Sequence, residues 1–360
     1  MFRDGNTNKS DIARQVKEKF NIKEPVSNIR RYISYYINRH QALEGQCKEI
    51  GIPVDNVSHY WHKGKHFSIN VRKDAPPSYL EMRDQIIAEM QEHAPLYQHI
   101  HRAPSRDGHL LVIDPADVHI GKLASAFETG ETYNNQIAVQ RVLDGVRGIL
   151  DKVAGFSIDK ILFIAGNDIL HIDTPKRTTT SGTPQDTDGM WYDNFLMAKQ
   201  LYINILEMLI PIADVHFVHN PSNHDYTNGF FLADTIASWF SKSDNITFDC
   251  SISHRKYFRY YNNLIGTTHG DGAKHQDLPL LMAQEAPQDW AIAKHRYVYM
   301  HHIHHKMSKD YIGVTVESLR SPSGTDGWHH RNGYQHSPKA VEGFLHHPAH
   351  GQIARITHIF

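Results

Sequence analysis

Five short segments, spread over most of the chain, carry side chains of the kind that bind divalent metal: Asp117-Val118-His119, Gly166-Asn167-Asp168, Asn223-His224-Asp225, His269-Gly270-Asp271 and His302-Ile303-His304. None makes a site alone. Together they offer enough carboxylate, amide and imidazole donors for two metal ions. Paired ions of this kind suit the splitting of phosphate esters, because they clamp the attacking and the leaving oxygen together. A mixed oxygen and nitrogen donor set without thiolate suits Mn²⁺, Fe or Zn²⁺.

Such donors must be delivered by rigid elements. From Leu110 onward, apolar strands end in the polar motifs and helical stretches lie between them. Leu110–Ile113 reads as a strand leading to the first motif, Lys160–Ala165 to the second and Val215–Val218 to the third. Helical spacing covers 137–153, 195–209 and 231–240. Later strands are expected at 247–248, 257–261, 264–268, 297–300 and 311–316. The class is therefore α/β, with ligands at the C-terminal ends of strands, where open α/β sheets place their sites. In an extended His302-Ile303-His304, both imidazoles would point to one side.

The main domain is expected over 109–360. Ahead of it, residues 1–45 read as a small helical module. Ile12, Ala13, Val16 and Phe20 fall at helical spacing, and Ser27 is placed to cap a second helix with Ile29, Tyr32, Ile33, Tyr36 and Ile37 on one face. That helix leaves Arg30 and Arg31 for solvent or for a ligand. The pair resembles a helix-turn-helix; a purely structural head is the other reading. Residues 46–108 form a connecting segment in which Tyr60-Trp61-His62-Lys63-Gly64-Lys65-His66-Phe67 mixes aromatics with bases, followed by a strand at 67–71 and helical spacing at 80–90. Such a cluster either stacks on bases and holds phosphates, with Lys63 and Lys65 as contacts, or covers a domain seam.

The 360 residues, 40% of them hydrophobic, allow a large core. The net charge of −1 gives no global sign of nucleic acid. Its distribution is uneven: residues 1–40 hold nine Lys/Arg against four Asp/Glu, whereas residues 109–360 hold 21 against 26. A basic head on an acidic body suits contact with a phosphate backbone. Only Cys47 and Cys250 are present, which argues against a disulfide scaffold and thiolate zinc sites and fits a reducing compartment. There is no apolar run of about 18 residues, so no membrane partner is expected. The start, Met1-Phe2-Arg3-Asp4-Gly5, does not read as a signal peptide, and the expected location is cytoplasmic. Most of the 28 histidines, including the pairs His301/His302, His304/His305, His329/His330 and His346/His347, are expected at the surface or in ordinary hydrogen bonds.

In their order and spacing the five motifs resemble the calcineurin-like metallophosphoesterases, whose pattern is Asp-x-His, Gly-Asp, Gly-Asn-His-Asp/Glu, His and Gly-His-x-His. The resemblance spans residues 110–320. The wording around Gly166-Asn167-Asp168 and 178–186 looks like versions carried by tailed bacteriophages, which would make the cytoplasm that of the host. Asp168-Ile169-Leu170-His171 looks like the nuclease branch. Three positions depart from the pattern: Asn167 is inserted before Asp168, and Ser222 and His301 stand where Gly is usual.

The resemblance implies a layered metallophosphoesterase β-sandwich flanked by helices, holding two divalent ions, Mn²⁺ foremost, with Fe, Zn²⁺ or Mg²⁺ open. Asp168 would bridge them. Asp117, His119 and His304 would complete the first ion, and Asn223, His269 and His302 the second. His224 would act on the leaving oxygen, with Asp225 holding its ring. His171 and Asp173 either line the site or end a strand. Lys176 and Arg177 sit in a long polar stretch that reads as a functional loop or as disorder. The substrate implied is nucleic acid, DNA in the first place, cut by a nuclease or exonuclease. A cyclic- or small-nucleotide phosphodiesterase is the alternative, and a DNA-binding module with little turnover is the third reading.

Overall fold

The computed structural model describes residues 8–49, 59–63, 68–72, 84, 88, 94–103 and 107–360. The chain divides into two compact units, Met1–Arg83 and Asp84–Phe360.

In the first unit, α1 (Lys9–Lys19) is capped by Asn8, whose side chain accepts from the Ser10 and Asp11 amides. α2 runs Val26–Glu49, longer than the spacing suggested, and it begins one residue before Ser27. Ser27 therefore lies in the first turn rather than capping it. Ile12, Ala13, Ile29 and Ile37 are buried, but Tyr32 and Tyr36 of the expected apolar face are exposed. An antiparallel ribbon follows, β1 (His59–Lys63) with β2 (Ser68–Arg72), which sets Trp61 opposite Asn70. The aromatic-basic segment thus contains a strand of its own. Lys65, and most of the helical spacing at 80–90, lie outside the described residues.

The second unit is α/β, with two mixed sheets and helices outside them. Sheet one has the order β13-β12-β3-β4-β5-β6. Its strands are β3 (His109–Asp114), β4 (Ile158–Gly166), β5 (Asp214–Asn220), β6 (Ile246–Asp249), β12 (Ala340–His347) and β13 (Gly351–Ile359). β3 to β6 run parallel, and β12 and β13 join antiparallel at one edge. Sheet two has the order β10-β11-β9-β8-β7: β7 (Lys256–Tyr260), β8 (Asn263–Thr268), β9 (His295–Met300), β10 (Met307–Tyr311) and β11 (Val314–Ser318). The single strand expected over 311–316 is broken by a turn with Gly313 at φ 78°, which separates β10 from β11.

Alternation along β3 shows how the layers form. Leu110 and Val112 face the second sheet, packing with Leu162, Ile164, Ile265, Tyr299 and Phe344. Leu111 and Ile113 face the other way, into a core with Phe163, Phe217, Val146 and Leu206. A strand buried on both faces reads as a continuous apolar run, which is why Leu-Leu-Val-Ile marks it. The outer face of sheet one carries α3 (Asn135–Val153), α4 (Trp191–Leu209) and α5 (Tyr226–Trp239). The outer face of sheet two packs Leu264, Val298 and Val316 on Leu278 and Met282 of a helix at Leu278–Glu285. The expected α/β sandwich flanked by helices is therefore what the chain adopts. No helix among the described residues is long and apolar enough to cross a membrane.

Candidate metal centre

All five motifs begin within three residues of a parallel strand's C-terminal end. β3 stops at Asp114 before Asp117, β4 at Gly166 before Asp168, β5 at Asn220 before Asn223, β8 at Thr268 before His269 and β9 at Met300 before His302. The loops turn sharply there. Asp117, His119, Asn167, Asp168, His302 and His304 all have positive φ, between 51° and 71°. Non-glycine residues seldom adopt that region, and each such residue costs on the order of 1–3 kcal/mol. Backbone bonds between loops hold them: the Asp117 amide donates to Asn167 O at 2.8 Å, His119 to Asp168 O at 2.9 Å and His301 to His269 O at 2.9 Å. Gly166 has φ 82°, and a Cβ there would meet Asn220 O at 2.3 Å. The condition under which His302 and His304 would point to one side, an extended segment, is not met: both histidines are left-handed.

The structure brings the expected donors together in two groups, Asp117 with His119 and His304, and Asp168 with His269 and His302. Asp168 lies between them, its Oδ2 3.3 Å from His269 Nε2 and 3.9 Å from His119 Nε2. Asn223 Oδ1 is 2.9 Å from His269 Nε2. His304 Nε2 is 3.6 Å from Asp117 Oδ1 and 3.3 Å from His119 Nε2.

The electrostatics fit cations. Asp117 and Asp168 are both buried. Burial alone would raise their carboxyls, but facing histidines, His304 for Asp117 and His269 then His224 for Asp168, hold both below the usual range. Burial would lower His269, yet Asp168 and Asp117 push it up to about 9. Two imidazole nitrogens face each other across 3.3 Å in His119 and His304; as acceptors they repel unless a proton or cation sits between them. The donor set thus fits divalent cations.

Neighbouring groups fix the rings. His171 Nδ1 is 3.2 Å from His119 Nδ1. If His119 offers Nε2 to a cation, its Nδ1–H donates to His171, the outer contact that orients a ligating histidine. The His171 carbonyl accepts from His224 Nδ1 at 2.9 Å, and the His224 amide donates to Asp168 Oδ1 at 3.0 Å. This corrects the role expected of Asp225: it does not hold the His224 ring. Asp225 instead accepts from Ser222 Oγ and, at 2.8 Å, from the Leu170 amide. Ser222 Oγ in turn accepts from the Asp168 amide at 2.7 Å. Burial and the Asp168 charge push the Asp225 carboxyl up to about 8. The departure from Gly at 222 thus ties the second motif to the third. Asp173 caps α5, accepting from the Thr227 and Asn228 amides. A third donor group, His119 with His171 and His224, overlaps the first.

Two arrangements escaped the sequence reading. His301 is fully buried, with Nε2 2.9 Å from Asp114 Oδ2 and Nδ1 3.1 Å from Thr268 O. One side chain therefore links the loops that carry Asp117, His269 and His302. The second is a chain of contacts running from Lys122. Lys122, 1% exposed, places Nζ 2.8 Å from Asp326 Oδ2, and Asp326 Oδ1 accepts from the His329 amide and Nδ1. The His329 ring stacks on His304, centroids 4.9 Å apart. Of the doubled histidines near the C-terminus, expected at the surface or in ordinary hydrogen bonds, His301 and His346 are fully buried and hydrogen-bonded, His329 is half-buried on Asp326, and His330 is exposed.

Lys176 and Arg177 are exposed on an ordered loop. The loop is tied to the third motif by the Thr180 amide on Asn223 O at 3.3 Å and Thr180 Oγ1 on Asp173 at 2.8 Å. Arg30 and Arg31 are exposed on α2, and Lys63 ends β1.

No protein-family model matches the chain, and no curated protein does. Among solved structures it is similar to a novel archaeal phosphodiesterase, with 8% identity over 69% of this chain and 99% of that one and a TM-score of 0.33. It is similar to a Vps29 single mutant from Entamoeba histolytica, with 13% identity over 69% and 99% and a TM-score of 0.31. It is also similar to hypothetical protein PH1004 from Pyrococcus horikoshii OT3, with 9% identity over 69% and 87% and a TM-score of 0.33.

Proposed function

We propose that the chain is a calcineurin-like phosphoesterase that uses two divalent ions to hydrolyse phosphodiesters of nucleic acid, DNA in the first place. One observation carries this reading: two donor groups meet at a single buried carboxylate, Asp168, with the His224 ring beside them, 4.7 Å from that of His119. When bound, the ions would polarise the phosphate and bring the attacking oxygen to it. Asp117, His119 and His304 would hold one, and Asn223, His269 and His302 the other.

The chain's own groups do the rest. Asp168 takes the His224 amide on one oxygen and leaves the other toward both donor groups. His224 commits Nδ1 to the His171 carbonyl, so Nε2 is the atom left to protonate a departing alkoxide. His119 is kept in one tautomer by His171. Asp225 and Ser222 hold the second and third loops in register.

Exposed bases support a polyanionic substrate. Arg14, Lys19, Arg30 and Arg31 lie on the helices of the first unit, and Lys176 and Arg177 lie on the loop tied to the third motif. Lys176 and Arg177, on the loop beside the third motif, would hold backbone phosphates beyond the one being cut.

The test is a panel on the Mn²⁺-loaded protein: a chromogenic phosphodiester, linear duplex DNA and a cyclic nucleotide. Cleavage of the first two is expected. Asp168→Asn should abolish both and lower metal content, since only a charged carboxylate offsets two dications. Turnover confined to cyclic nucleotides would move the reading to a small-molecule phosphodiesterase. DNA binding without turnover would make the centre a recognition element. Full metal content and activity in Asp168→Asn would remove the bridging role.

A further inference from the structure

We propose that His329 is a further substrate-contacting residue, an imidazole that donates from Nε2 to an oxygen of the phosphate held beside His119 and His304. The inference rests on the phosphoesterase reading and adds a residue outside the five motifs.

The ring is tethered at two points on one carboxylate. Asp326 Oδ1 accepts from the His329 amide at 2.9 Å and from Nδ1 at 2.7 Å. Nδ1 is therefore the protonated, committed nitrogen. Among the described residues Nε2 has no hydrogen-bond partner and it is not enclosed, so it remains open to a ligand. The tether has its own support. Asp326 Oδ2 receives Lys122 Nζ at 2.8 Å, and that lysine is 1% exposed. Lys122 also places Nζ 3.2 Å from Ser323 Oγ and donates its backbone amide to His119 O at 3.0 Å. Burying a lysine carries a large desolvation cost, which the half-buried Asp326 offsets. Here the pair serves to fix one imidazole, and it is anchored in the loop of a proposed ligand.

The order of ring contacts gives that imidazole a task. His224 packs on His119 with centroids 4.7 Å apart, His119 on His304 at 5.2 Å, and His304 on His329 at 4.9 Å with planes 20° apart. His224 and His329 thus stand at the two ends of the contact series, with the His119–His304 pair between them. A phosphate bound at that central pair would have His224 on one side of the contact series and His329 on the other. His224 is assigned to the departing oxygen, which leaves His329 for an oxygen that stays on phosphorus. With Nδ1 committed to Asp326, a phosphate at Nε2 would set the ring between two anionic groups. His330, on the same short helix, is exposed and has no such tether.

The test is calorimetric titration of inorganic phosphate into the full-length, Mn²⁺-loaded protein, with metal content measured in parallel. His329→Ala should keep the parent's metal content and weaken phosphate binding by about 10–100-fold, the range for a hydrogen bond to a charged group. His329→Gln, which keeps a donor near Nε2, should recover part of the loss. Asp326→Asn should also weaken phosphate binding. Phosphate bound equally by parent and His329→Ala overturns the inference alone and leaves the phosphoesterase reading standing. Loss of metal in His329→Ala also overturns it, since the ring would then be a prop for His304. A parent that takes up two ions but binds no phosphate overturns both.

Discussion

Six proposed ligand-loop residues with left-handed backbones mark the places where the chain gives up local comfort for geometry. Strain of this kind persists only where surrounding bonds over-determine it, and His301 is the clearest of those supports. Its two ring nitrogens reach Asp114 and Thr268 O in the buried floor of the centre. Removing the ring leaves a buried carboxylate without its partner. His301→Ala should therefore cost about 3–5 kcal/mol in urea denaturation of the metal-free protein, and metal affinity should fall by about 10–100-fold. Adding Asp114→Ala should recover much of the stability, because no lone charge remains. Additive losses would show that the two side chains do not act as a pair. His224 makes the contrasting case. His224→Ala should leave metal content near the parent's while turnover drops by about 10²–10⁴-fold. Metal loss in that variant would place His224 in the third donor group, with His119 and His171, as a ligand.

At the scale of elements, most of the site was legible because its donors are local. Each motif sits just past a strand whose apolar run marks it, so Leu110–Ile113 announces Asp117 and Lys160–Ala165 announces Asp168. What was not legible depends on contacts across the chain. His301 meets Asp114 from 187 residues away, and His329, which stacks on His304, is held in place by Asp326 and through it by Lys122. The backbone of His302–His304 was also not legible: both residues are left-handed, and their rings fall in different donor groups. β12 and β13 went unread as well, because these C-terminal strands carry no motif. The loop after Asp173 shows what an element adds to a residue. Thr180 ties it to Asn223, and Lys176 and Arg177 stand exposed on it. Lys176→Glu with Arg177→Glu should lower DNA cleavage by roughly tenfold or more while a small diester is cut nearly as before, since these bases would hold phosphates outside the metal pair. Equal losses on both substrates would assign them to the reacting phosphate or to folding.

At the scale of the whole second unit, stability depends on buried histidines kept neutral. His346 on β12 is fully buried, its Nε2 2.9 Å from the Tyr299 hydroxyl of β9, so the contact joins one sheet to the other. His219 near the end of β5 is buried as well. Burial pushes both rings down to about 3. An unfolded histidine titrates near 6.5, so the unfolded chain takes up these protons first. Their neutral burial costs nothing above that pH and weakens the fold progressively as pH falls from about 6.5 toward about 3. Each contributes a slope of up to about 1.4 kcal/mol per pH unit in that window. His346→Gln keeps a polar side chain but cannot titrate. Whatever its stability at pH 8, its urea midpoint should fall less steeply than the parent's between pH 6.5 and 5, where most carboxylates are still ionised. Measuring the difference between the two proteins cancels the histidines of the metal centre, which titrate in both. Parallel curves would mean that His346 does not stay neutral in the fold, and that the join between the sheets tolerates a charge its burial should exclude.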